Sequence, residues 1–185
     1  NYKNKKYFDI SLNYNNYLIT SNSKGYINIY NIDEDKHIYF KAHENNIQYL
    51  KISRMSKYIA SVSEDGTKIK LFDLETHKLI KIFYRGLISS SIICIEFDKL
   101  DKYILVYSDT GTIHIYSIIE DNNNSLMNNV TNYMFNYKIN DYNYSLYRLE
   151  LKKIYKLYII NNYEEIYVID KDVCVTKYKL KNTKY

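Results

Sequence analysis

An all-β fold built as a β-propeller is what this 185-residue chain predicts, on three observations. A glycine-centred phrase recurs, its recurrences are evenly spaced, and each is followed by residues that alternate between apolar and polar. The phrases are Ser-Asn-Ser-Lys-Gly-Tyr-Ile-Asn-Ile-Tyr (Ser21 to Tyr30), Ser-Glu-Asp-Gly-Thr-Lys-Ile-Lys-Leu-Phe (Ser63 to Phe72) and Ser-Asp-Thr-Gly-Thr-Ile-His-Ile-Tyr (Ser108 to Tyr116). Gly25, Gly66 and Gly111 stand 41 and 45 residues apart. A period of about 40–45 residues with four short strands per unit is the mark of a WD-repeat propeller blade.

Alternation of period two between turn signals divides the chain into strands. The first unit reads Tyr7–Asn13, Tyr17–Thr20, Tyr26–Ile32 and His37–Lys41, and the second Ile47–Ser53, Tyr58–Val62, Lys68–Leu74 and Leu79–Tyr84. The third reads Ser91–Phe97, Tyr103–Tyr107 and Thr112–Ile118, and resumes near Leu146–Leu151 after a long insert. The last has Tyr155–Asn161, Glu165–Ile169 and Val173–Leu180. Blade boundaries are therefore expected near 1–41, 42–85, 86–152 and 153–185, with the insert at 119–145. A ring must close to cover its strand edges and blade faces, so these roughly four blades are expected to be either a piece of a longer ring or a closed four-bladed one.

The second unit carries one residue more than its neighbours between the glycine and the apolar positions. This predicts a bulge in the strand after Gly66, and makes Asn28, Lys70 and His114 equivalent in successive blades. His43, just before a first strand, reads as a hydrogen-bonding partner inside the blade. His37 and His77 read as hairpin-turn residues. Ser63, Thr67, Ser108 and Thr112 flank tight turns, where capping is their default role.

Composition bounds the partners. There are 24 Tyr but no Trp and no Pro, with abundant Asn, Lys and Ile, a compositional bias not read as function. The formal net charge of +5 is scattered, without a basic block of the kind that grips nucleic acid. Cys94 and Cys174 fall in predicted strands without metal-ligand spacing and read as buried thiols of a reducing compartment. No signal peptide or membrane-spanning stretch is expected. No metal-ligand cluster, nucleophile elbow or phosphate loop is visible, so neither an enzyme nor a cofactor is expected.

The fourth glycine closes Phe83-Tyr84-Arg85-Gly86, directly after the second unit's last strand. Here the chain resembles the PROPPIN family, phosphoinositide-binding seven-bladed propellers whose hallmark at this point is Phe-Arg-Arg-Gly, and the resemblance implies that these are about four C-terminal blades of such a seven-bladed ring. Ala42-His43-Glu44, the Ser63-to-Phe72 phrase, the tetrapeptide and the Ser108-to-Ile115 phrase follow that family's order. The resemblance runs from Lys41 to Ile118, and flanking blades match more loosely. It implies two shallow headgroup pockets on the blade rim, one on each side of the tetrapeptide and each fed by one arginine. The second arginine is Arg85, with Ser108, Thr110, Thr112 and His114, and with Ser89, Ser90 and Ser91 on the connecting loop, as its implied partners. A phosphomonoester is well served by a planar, permanently charged fork surrounded by hydroxyl and imidazole donors. The first arginine is replaced by Tyr84, and Lys70 stands where the family usually has arginine. That pocket is expected to be crippled and the Arg85 pocket to work. The competing reading of Arg85 is a surface arginine paired with a carboxylate.

Within the insert, Leu126, Met127, Val130, Tyr133, Met134 and Tyr137 recur at helical spacing, with Ser125 as a candidate cap. The resemblance implies a loop here that dips into the bilayer, with Leu126, Met127, Val130, Tyr133, Met134 and Phe135 as insertion residues. Low-complexity filler is the alternative. The function implied is a monomeric peripheral adaptor for phosphatidylinositol 3-phosphate or the 3,5-bisphosphate. It would work with autophagy-type protein partners on the cytoplasmic face of autophagosomal, endosomal or vacuolar membranes. A lipid-blind WD-repeat scaffold is the alternative.

Overall fold

The computed structural model describes residues 7–11, 16–22, 24–119, 142–144, 147–150, 154–160, 165–170 and 175–179. Sixteen strands and no helix occur among the described residues, gathered into four sheets. The first sheet is a plain antiparallel meander of β1 (Phe8–Ser11), β2 (Tyr17–Ser21), β3 (Tyr26–Asn31) and β4 (Lys36–Lys41). The second repeats it with β5 (Ile47–Ile52), β6 (Tyr58–Ser63), β7 (Lys68–Asp73) and β8 (Leu79–Tyr84). The third has β9 (Ile92–Phe97), β10 (Tyr103–Ser108) and β11 (Thr112–Ser117). Next in the chain is β12 (Tyr142–Tyr144), which lies against the second sheet, parallel to β8. The third sheet is then completed by β13 (Tyr147–Glu150), antiparallel to β11. A fourth sheet joins β14 (Ile154–Ile160), β15 (Glu165–Asp170) and β16 (Val175–Lys179). The first strands of the sheets, β1, β5, β9 and β14, neighbour one another in succession, as the inner strands of propeller blades do.

Alternation along each strand puts the apolar side chains between blades rather than inside any one of them. Ile19, Ile27 and Ile29 of the first sheet pack with Leu50, Ile52, Ile59 and Phe72 of the second. Val62, Ile69, Leu71 and Phe83 of the second pack with Ile95, Phe97, Ile104, Val106 and Tyr116 of the third. Cys94, Leu105, Ile113 and Ile115 meet Ile166 and Val168 of the fourth. Cys94 is buried; Cys174 lies outside the described residues.

The recurrent glycines have a steric cause. Gly25, Gly66 and Gly111 take φ of 78°, 63° and 81°, the left-handed region that favours glycine. At Gly25 a Cβ would stand 2.0 Å from the His43 carbonyl oxygen, and at Gly66 1.8 Å from that of Ser90. The Gly25 and Gly66 turns thus receive the loop that leads into the next blade at a distance no side chain permits. The loop amides complete the joint: Ala42 and His43 donate to the Gly25 carbonyl at 2.9 and 3.0 Å.

Two sequence expectations need correction. The β6–β7 ladder runs unbroken from Val62↔Ile69 to Tyr58↔Asp73, so β7 carries no bulge toward β6. The second unit's extra residue is taken up in the Gly66–Thr67 turn before β7 begins, which leaves the ladder hydrogen bonds intact. Irregularities in this sheet lie elsewhere: between β7 and β8, where Leu71 faces Lys81 and Phe72 faces Leu79, so the extra residue is Ile80 of β8, and between β5 and β6, where Gln48 is the extra residue. The equivalence drawn from the count holds, because Asn28, Lys70 and His114 are each the third residue of β3, β7 and β11. His37 lies in β4, stacked on Tyr30 at 4.3 Å, and not in a turn. His77 does occupy a turn, with φ 61°.

His43 is 5% exposed and shares a 2.8 Å hydrogen bond with the Ser61 hydroxyl. Burial first, and then the Lys70 charge, lower its pKa from 6.5 to about 4. Above pH 7 the imidazole is neutral whether the chain is folded or not. As pH falls from 6.5 toward 4, the unfolded chain takes up a proton that the folded chain resists. The native state then loses about 3 kcal/mol, and the loss levels off below the folded value. Urea unfolding at pH 7 and pH 4.5 should show this drop in the wild type and a smaller one in His43→Gln.

Candidate functional site

Arg85 is placed by three backbone contacts at the exit of β8. Its amide donates to the Thr67 carbonyl at 2.9 Å, Nε donates to the Gly66 carbonyl at 2.5 Å, and Nη2 donates to the Ile88 carbonyl. The guanidinium plane is therefore set by the glycine turn of its own blade and by the loop toward the next. The preceding Phe83 is fully buried against Tyr116 at 4.9 Å, and the Tyr116 hydroxyl donates to the Tyr84 carbonyl at 3.0 Å. Burial pushes the Tyr116 phenol well above its ordinary range, so it is a neutral donor. The tetrapeptide is thus clamped to β11 of the neighbouring blade.

Across the joint, the β10–β11 turn presents a triangle of hydroxyls. Ser108 Oγ lies 2.8 Å from Thr110 Oγ1 and 3.3 Å from Thr112 Oγ1, and the two threonines are 3.1 Å apart. Ser108 and Thr112 are buried, whereas Thr110 is exposed. His114, one alternation further along β11, is also buried and lies nearly parallel to the Tyr116 ring at 6.1 Å. Ser90 is buried on the connecting loop; Ser89 is exposed.

Asp109, which the sequence reading did not single out, sits among these groups. Its carboxylate accepts from the Ser90 hydroxyl at 2.7 Å. That bond above all, with help from Ser91 and from the Arg85 cation, holds its pKa below the ordinary carboxylate range. An anion entering here meets one cation, a set of hydroxyls and one competing carboxylate. Gln48 was also missed. Its Nε2 donates to the carbonyls of Ser63 at 2.9 Å and Ser90 at 3.1 Å, and its Oε1 accepts from the Ile92 amide at 2.9 Å. It fixes the arginine loop to the glycine turn. No spacing rule would have found a lone glutamine of this kind. Asp109 could have been found as the one acid inside the hydroxyl-rich phrase.

The residues expected on the other side of the tetrapeptide do not join this group. Lys70 Nζ donates to the Ala42 carbonyl at 2.8 Å and raises the local potential at His43, toward the first blade. Tyr84 faces Lys68 in the β7–β8 ladder, while Lys70 faces Ile82. Thr67 Oγ1 donates to Asp65 at 3.3 Å, and Ser63 to the same carboxylate, so both serve the turn. Leu126, Met127, Val130, Tyr133, Met134 and Phe135 lie outside the described residues. Among the described residues no cluster of three or more His, Cys, Asp or Glu could hold a metal. No helix among them is long and apolar enough to cross a membrane.

Four successive sheets with an interblade core, two of their joints made at glycine turns, define a β-propeller of the WD-repeat type. No protein-family profile matches the chain. Curated proteins do: it is 32% identical over 89 residues to SVP1-like protein 2 of Kluyveromyces lactis, covering 48% of this chain and 26% of that one. It is 34% identical over 80 residues to autophagy-related protein 18 of Kluyveromyces marxianus, covering 43% and 16%. The solved structure of Kluyveromyces lactis Hsv2 with its complete loop 6CD superposes with a TM-score of 0.76 at 21% identity, covering 96% of this chain and 57% of that one. These similarities support membership of the PROPPIN family, over part of its members' length. The chain spans little more than half of the Hsv2 chain, and its matched segments span 26% and 16% of these two curated relatives.

Proposed function

We propose that this propeller segment recognises a phosphoinositide headgroup, phosphatidylinositol 3-phosphate first and the 3,5-bisphosphate second, and serves as a peripheral membrane adaptor in autophagy or endosomal and vacuolar traffic. The observation that carries this reading is the Arg85 guanidinium, oriented by two carbonyls, whose charge is felt at Asp109 of the hydroxyl-lined β10–β11 turn. Arg85 supplies the permanent charge and Ser108, Thr110 and Thr112 donate to phosphate oxygens, with Ser89 and Ser90 on the loop. His114 adds positive charge when protonated. The segment with Leu126, Met127, Val130, Tyr133, Met134 and Phe135 acts as a membrane foot. Headgroup binding and insertion reinforce each other, since the first contact raises the effective concentration of the second. Proteins of the autophagy machinery are the proposed partners, and no chemical step is assigned to the chain.

The scaffold reading keeps one observation in its favour, the Asp109 carboxylate held next to the Arg85 charge. Co-flotation with vesicles separates the two. The lipid reading expects recruitment by phosphatidylinositol 3-phosphate over phosphatidylinositol; equal recruitment, or none, leaves the scaffold. Tyr84→Arg restores the missing guanidinium, and is expected to raise vesicle affinity about tenfold to a hundredfold, the worth of one charge-assisted hydrogen bond. Lys70 alone, its ammonium engaged by the Ala42 carbonyl, is a weak substitute.

A further inference from the structure

Between its two anchors, the loop that carries Arg85 presents two consecutive aliphatic side chains to solvent. Leu87 is 82% and Ile88 78% exposed, more than any other large hydrophobic among the described residues. This is not a slack loop. At one end the amides of Arg85 and Gly86 donate to the Thr67 carbonyl, and the Arg85 guanidinium grips the Ile88 carbonyl. At the other, the Ser90 amide donates to the Asp65 carbonyl at 3.2 Å while Gln48 and Asp109 hold its carbonyl and hydroxyl. Gly86 has open space around it, with no atom within 4 Å of where a side chain would begin. Nor is the apolar tip a property of the repeat. The corresponding loop from β4 to β5 buries Ala42 and His43 and exposes the polar Glu44, Asn45 and Asn46.

We infer that Leu87 and Ile88 form a membrane wedge, which enters the headgroup–acyl boundary of a bilayer while Arg85 holds the phosphate beside it. The inference rests on the phosphoinositide reading. Bilayer is favoured over protein for two reasons. A two-residue aliphatic tip is far smaller than the roughly 800 Å² per partner of a stable protein interface. Protein hot spots also favour Trp, Tyr and Arg, with Leu under-represented, whereas aliphatic side chains gain by leaving water for acyl chains wherever the backbone can stay wet. The guanidinium that pins Ile88 would also couple the two contacts. A phosphate drawn to Arg85 sits at headgroup depth, which sets the tip at the depth where it can insert.

The chain has no tryptophan, so Leu87→Trp supplies a single reporter. On vesicles of phosphatidylcholine with phosphatidylinositol 3-phosphate, its emission should shift to the blue and be quenched by shallowly brominated lipid. The double variant Leu87→Ser with Ile88→Ser should bind these vesicles at least about tenfold more weakly, from the lost apolar transfer. Its affinity for the soluble headgroup of the same lipid should stay within about twofold, because neither side chain supplies a donor to phosphate. Vesicle binding with an unquenched reporter, or an undiminished double variant, overturns the wedge and leaves the phosphoinositide reading standing. Quenching that occurs only with an added protein assigns the tip to a protein interface and overturns it too. Absence of binding to both soluble headgroup and vesicle removes the phosphoinositide reading, and the wedge with it.

Discussion

Gly66→Ala is expected to cost about 3–5 kcal/mol of stability, a large share of the roughly 5–15 kcal/mol that holds a typical domain folded. A Cβ there stands 1.8 Å from the Ser90 carbonyl oxygen and 2.9 Å from Gln48 Nε2, on a backbone with φ of 63°. The obstructing oxygen belongs to main chain, so the whole loop must move, and the movement would break the two carbonyl contacts through which Gln48 joins the blades. It would also displace the Gly66 carbonyl that holds Arg85 Nε. Gly86→Ala is the control. With nothing within 4 Å of its Cβ, it should stay within about 0.5 kcal/mol of wild type. Urea denaturation of the two variants under identical conditions checks both values.

Arg85→Ala should reduce affinity for phosphatidylinositol 3-phosphate vesicles by about thirtyfold or more, equivalent to about 2 kcal/mol for a charged hydrogen-bond donor. The effect is expected to exceed that of any single hydroxyl, because Ser108, Thr110 and Thr112 bond to one another and can share the role. Arg85→Lys should fall between the two. It keeps the charge but gives up the fork that reaches the Gly66 and Ile88 carbonyls together. Thermal unfolding separates a binding defect from loosening of the loop: a binding residue leaves the transition of the alanine variant near wild type, whereas a structural clasp does not.

The fold was legible because it repeats. A glycine at a left-handed turn, with the alternation that follows it, occurs three times, and three coincident turns are strong evidence where one would be weak. The His43–Ser61 bond was readable in the same way, as a blade-level feature. What escaped depends on contacts between distant segments. β12 is only three residues at the end of an Asn-rich insert, too short to stand out as a strand, and it pairs with β8 along the outer edge of the second sheet. The extra residue after Ser63 was counted correctly but assigned to the strand. A turn absorbs it without breaking a ladder, a difference that spacing alone does not reveal. Lys70 shares its strand position with His114, yet the end of a four-carbon stem is set by the neighbouring blade, here the Ala42 carbonyl. Arg85 was identified through the residues around it, while the Asp109 carboxylate beside it required the third dimension.

Calorimetric titration of the soluble phosphatidylinositol 3-phosphate headgroup into the wild-type chain and the Arg85→Ala variant isolates the proposed contact from every membrane effect. Saturable binding by the wild type, weakened at least about thirtyfold in the variant, is the predicted result. Equal binding by both, or none by the wild type, contradicts it and leaves a propeller whose arginine serves only to join two blades.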